Sequence, residues 1–67
     1  MTSAQRTYKF PPNNEYTVRL RVAGRVYRET CYCPDLETAW GWAYGVQSRY
    51  EREFDRSVSI VGVSEVK

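Results

Sequence analysis

Between positions 15 and 22 every second residue is apolar: Tyr16, Val18, Leu20 and Val22 alternate with Thr17, Arg19 and Arg21. A period of two places successive side chains on opposite faces of an extended chain, so this segment is predicted to be a strand with one face on a core and the other in solvent. Ala23 and Gly24 follow, a turn in which glycine tolerates the positive φ of tight hairpins, and residues 25–33 return as a second strand rich in β-formers. The hairpin register stays open. A two-residue loop sets Leu20 opposite Tyr27, puts Cys31 on the core side and turns Glu29 inward. A three-residue loop sets Val22 opposite Val26 and turns Arg28 inward. In both registers Arg19 and Arg21 face solvent.

The period then changes. Pro34 ends the strand, Asp35 is a good N-cap, Leu36 is the first helical residue, and Glu37 sits in the first turn, where a carboxylate favours the helix dipole. From there to about Phe54 the spacing predicts a helix. At about 100° per residue, Leu36, Ala39, Trp40, Ala43, Val46, Gln47, Tyr50 and Phe54 gather on one stripe that covers the sheet. A last strand over 57–66 has Val58 and Ile60 in phase and a shift near Gly62 that reads as a bulge. The order ββαβ predicts an α+β fold, a three-stranded antiparallel sheet in the order 2-1-3 packed against one helix, with the cleanest strand in the centre. Residues 1–14, ending in Phe10-Pro11-Pro12-Asn13-Asn14, read as a tail whose Tyr8 and Phe10 are candidates to pack on the body; residues 15–67 form the single domain.

Composition narrows the function classes. A chain of 67 residues supports one modest core, and its 42% apolar and 15% aromatic content argues for folding over disorder. It contains no histidine, Gly-rich phosphate loop, nucleophile elbow or carboxylate pair at metal-binding spacing, so catalysis is not expected. Cys31 and Cys33 are the only cysteines, too few for a structural zinc site within one chain, and are expected to be free thiols; no metal and no cofactor are predicted. With no long apolar run and no apolar stretch after Arg6, the expected location is the cytoplasm, without membrane contact.

Two surfaces then stand out as binding candidates. Residues 1–33 carry six basic against two acidic side chains, a net +4, while residues 34–67 carry four against six. The charge is arginine-rich, eight Arg to two Lys, which suits planar recognition of phosphates or bases. On the open sheet face Arg19 and Arg21 are joined by Arg28 with Tyr32 in one register, or by Arg25 with Tyr27 in the other. The second surface is the outer side of the helix, where Gly41, Gly45 and Ser48 form a row flanked by Trp42 and Tyr44. Glycine within a helix costs roughly 0.5–1 kcal/mol relative to alanine, and small residues at such spacing let another backbone approach closely.

The layout from residue 15 to residue 66, a capped helix between a hairpin and a final strand, resembles small accessory proteins of bacteriophages and other mobile elements. That group includes anti-CRISPR proteins, inhibitors of host polymerases and small DNA-binding regulators. The resemblance implies a non-enzymatic protein that blocks or recruits a host macromolecule, and it carries over no functional residue. Two expectations follow: an inhibitor or modulator that occludes a host protein complex through Gly41, Trp42, Tyr44, Gly45 and Ser48, a surface equally suited to a homodimer; or a DNA- or RNA-binding regulator that uses Arg19, Arg21, Arg25 and Arg28.

Overall fold

The structure, a computed structural model, describes residues 12–66. It has strands β1 (Asn14–Val22) and β2 (Arg25–Cys33), helix α1 (Leu36–Phe54) and strand β3 (Ser59–Glu65). The sheet order is β2-β1-β3, antiparallel throughout, so the expected ββαβ architecture is the observed one. The tail expected over residues 1–14, with Tyr8 and Phe10, lies mostly outside the described residues. Asn14 belongs to β1, and its side-chain amide donates to the Pro34 carbonyl at 3.2 Å.

The hairpin takes the two-residue register: Val22 pairs with Arg25, Leu20 with Tyr27, Val18 with Glu29 and Tyr16 with Cys31. Ala23 and Gly24 have φ values of 52° and 82°, the pair of positive angles that matches the twist of the flanking strands. This register turns Glu29 toward the helix, and the helix supplies its partners. The Tyr50 hydroxyl donates to Glu29 Oε2 at 2.5 Å and Arg49 Nη2 lies 3.2 Å from the same oxygen. The alternative register would instead have turned Arg28 inward.

In β3, Val63 pairs with Val18 and Gly62 with Arg19, but Ile60 pairs with Leu20, so Val61 is an extra residue. Ile60 and Val63 are three apart and would face opposite ways in a regular strand; the bulge lets both pack against the core. That core is Val18, Leu20, Val22, Ala43, Val46, Tyr50 and Val58, continued at the other end by Tyr16, Cys31, Cys33 and Ala39.

The helix begins where Asp35 accepts from the Thr38 amide at 2.8 Å, a bond that also lowers the Asp35 pKa. It ends at Asp55 in the left-handed conformation, φ 54°. Its buried stripe is narrower than the periodicity suggests. Ala39, Ala43, Val46 and Tyr50 are buried, whereas Leu36 and Phe54 at the two ends are 47% and 40% exposed. Just before β3, Gln47 donates to the Val58 carbonyl at 2.7 Å and the Val58 amide donates to Glu51 at 3.2 Å.

The Tyr50–Glu29 bond predicts a pH effect. Burial, then hydrogen bonding to Glu29 and the charge of its carboxylate, pushes the Tyr50 pKa from 10.0 up to about 12. Between those values the unfolded chain releases a proton that the folded chain keeps, so the folded state loses stability as pH rises through that window. Tyr50→Phe should cost about 1.5–3 kcal/mol at neutral pH, because it removes a hydrogen bond to a charged group. It should also flatten the alkaline fall in stability. Urea midpoints of both proteins at neutral pH and between pH 10 and about 12 check this.

Candidate functional site

The face of the sheet away from the helix carries the side chains that alternate with the core. On β1 these are Glu15, Thr17, Arg19 and Arg21; on β2 they are Val26, Arg28, Thr30 and Tyr32. Arg19 and Arg28 are directly opposed across the strand pair, and Arg21 stands two positions along from Arg19. Like charges in that relation destabilise a sheet, by roughly 0.2–1 kcal/mol on the scale of cross-strand pairs. Arg19 Nη1 donates to Ser64 Oγ at 3.2 Å, which holds that guanidinium on the face without neutralising it. Among the described residues neither Arg21 nor Arg28 has a charged partner. The only carboxylate on the two strands' share of this face is Glu15, about 13 Å from Arg19 along the strand.

Arg25 does not join this group. Because the loop has two residues, Arg25 pairs with Val22 and so lies on the helix side of the sheet, which corrects the expectation that it shares the open face. It lines a groove of about 450 Å³ at the hairpin-turn end with Val22, Ala23, Tyr27, Phe54 and Arg56. The sequence pattern alone did not single out Phe54 or Arg56 as neighbours of Arg25. The topology contained the signal: a helix that returns after β2 must end beside the β1–β2 turn.

On the outer side of α1, Gly41, Tyr44, Gly45 and Ser48 are exposed, as the row requires. A Cβ on Gly41 or Gly45 would meet nothing within 4 Å, so neither glycine serves a close approach of the described chain. Trp42 is different. It is half-buried and packs against both parts of the core, which corrects its expected place as a solvent-facing flank of the row. Ala39 and Ala43 are fully buried at the helix–sheet contact, and such short side chains let the helix lie close enough for a flanking indole to reach the core. The exposed aromatic surface is formed instead by Tyr44, 57% exposed, whose ring centre lies 5.9 Å from that of half-buried Trp40.

The bare glycines give a stability prediction. Gly41→Ala with Gly45→Ala should raise helix propensity by about 1–2 kcal/mol in total, since the added methyls enter open space. The domain should melt several degrees higher in a thermal scan. A lower melting temperature would mean that something other than solvent contacts the row.

Chemically reactive groups are few. Among the described residues no group of three or more His, Cys, Asp or Glu side chains is arranged to hold a metal. The Cys31 and Cys33 sulfurs lie 3.8 Å apart, both buried. Burial, reinforced by the neighbouring Cys33, pushes the Cys31 pKa up to about 12, and burial also raises that of Cys33. Thiols held protonated in this way are poor nucleophiles at neutral pH. Among the described residues no helix is long and apolar enough to cross a membrane. No protein-family model, curated protein or solved structure matches the chain.

Proposed function

We propose that the domain binds nucleic acid through the open face of its sheet, with Arg19, Arg21 and Arg28 on backbone phosphates. The observation that carries this reading is the direct opposition of Arg19 and Arg28 with Arg21 beside them, uncompensated by any carboxylate contact among the described residues. Such a cluster loses stability in the free protein and regains it when phosphates lie between the guanidiniums. Thr17, Thr30, Ser59 and Ser64 border it and add neutral donors to phosphate oxygens. No constellation for base-edge readout accompanies them, so the binding is not sequence-specific. With a net charge of +2 its affinity lies in the micromolar range or weaker at physiological salt.

The test is the salt dependence of binding to a fluorescein-labelled duplex, followed by anisotropy. Three phosphate contacts give a slope of log K against log salt of about −2.7, and Arg19→Gln with Arg21→Gln should reduce its magnitude by about 2. An unchanged slope in that variant removes the reading.

A second reading rests on a different observation, the exposed Tyr44 ring against Trp40 beside the two bare glycines. This face suits an aromatic-anchored protein interface, including occlusion of a host protein complex in the manner of phage inhibitors, or self-association. Binding through it would change little with salt. Tyr44→Ala would weaken it while leaving the melting temperature nearly unchanged.

A further inference from the structure

We infer that the groove at the hairpin-turn end takes one unpaired nucleotide of a nucleic-acid strand, its base against the Phe54 ring and its phosphate between Arg25 and Arg56. This rests on the sheet-face reading for the strand to which that nucleotide belongs, and it makes single-stranded nucleic acid the preferred substrate over duplex.

The groove's volume of about 450 Å³ falls within the range of small-ligand pockets. Its lining combines apolar Val22 and Ala23, two aromatic rings and two guanidiniums, and includes no carboxylate. Phe54 is the last helical residue and remains 40% exposed, yet its ring is held in place: the Tyr27 and Tyr50 ring centres lie 5.4 and 5.8 Å from it. A fixed, partly exposed ring is a stacking platform, because little freedom is lost when a base covers it. Arg25 and Arg56 are exposed and have no charged partner among the described residues. An aromatic platform beside unpaired arginines is the combination that holds single strands, in which bases are free to leave their neighbours; a duplex keeps its bases out of reach.

The groove and the open face lie on opposite sides of the sheet and share its hairpin-turn end. Arg21 pairs with Val26, the residue after Arg25, so a strand held over Arg19, Arg21 and Arg28 would need only to round the turn to bring a nucleotide to the groove.

The experiment compares a fluorescein-labelled oligothymidylate with a duplex of the same length. Wild type should prefer the oligothymidylate. Phe54→Ala should weaken that binding about tenfold, the loss of one stacked base, and leave duplex binding unchanged. Because Phe54 packs on two tyrosines, Arg25→Gln with Arg56→Gln provides a second test that removes no described contact, and it should act in the same direction. Thymine ring protons should shift upfield on addition of wild type and not on addition of Phe54→Ala. Equal oligothymidylate affinity in wild type and both variants overturns the groove while leaving the sheet face standing. Full oligothymidylate affinity in Arg19→Glu with Arg21→Glu removes the sheet face instead. Absence of oligothymidylate binding by wild type overturns the groove outright.

Discussion

Arg19→Glu with Arg21→Glu should abolish measurable binding to nucleic acid while the far-ultraviolet circular dichroism of the domain stays that of the wild type. Both side chains lie on the open face, outside the core, so the double reversal removes no buried contact; its one described loss is the Arg19–Ser64 hydrogen bond. It replaces two attractive contacts with two repulsive ones, a change of four charges on a surface whose only other described cation is Arg28. Each lost phosphate contact lowers affinity and salt dependence together, so the effect on a micromolar binder should exceed a hundredfold, on the order of 3 kcal/mol or more. The variant should also be no less stable than the wild type, because a carboxylate at position 19 would face Arg28 across the strands where two arginines now repel each other. Anisotropy and urea denaturation on the same two samples read both effects.

Leu20→Ala should have the largest effect on stability. Leu20 is fully buried on the middle strand, paired with Tyr27 on one side and Ile60 on the other. Truncating a buried leucine costs about 2–5 kcal/mol. A 67-residue domain has on the order of 3–10 kcal/mol in total. The variant should therefore lose its melting transition or melt at least about 10 °C lower. Val61→Ala is the matching control. Val61 is the bulged residue and is 49% exposed, so its truncation should change stability by no more than about 0.5 kcal/mol.

The fold was legible because its signals are local. Alternation from Tyr16 to Val22 marks the central strand, Pro34-Asp35 fixes the helix start, and three strands with one return helix leave few arrangements. The hairpin register was not legible, since both loop lengths bury one charged residue. What decides it is Tyr50 and Arg49, some twenty residues further on, which meet Glu29 only after the helix has folded back. The bulge near Gly62 was visible as a break of phase, but its purpose, bringing Ile60 and Val63 to the same side, depends on the pairing with β1.

The candidate surfaces were legible in part for the same reason. Arg19 and Arg21 were placed by alternation alone, whereas the roles of Arg25 and Arg28 were tied to the unread register. For Trp42, helical spacing gives an angle around the axis and says nothing of how close that axis lies to the sheet. The short side chains of Ala39 and Ala43 set that distance and draw the indole inward. The groove draws on the hairpin turn, the second strand and the end of the helix, so no window of the sequence contains it.

The sheet face is tested most directly by titrating unlabelled oligothymidylate into the isotope-labelled domain and following its backbone amide resonances. Binding through the sheet predicts that the perturbed amides cluster at Thr17, Arg19, Arg21, Arg28, Thr30 and Ser64, with the helix row of Gly41, Tyr44, Gly45 and Ser48 unmoved. Perturbations confined to that helix row, or none at any concentration reached, would contradict it.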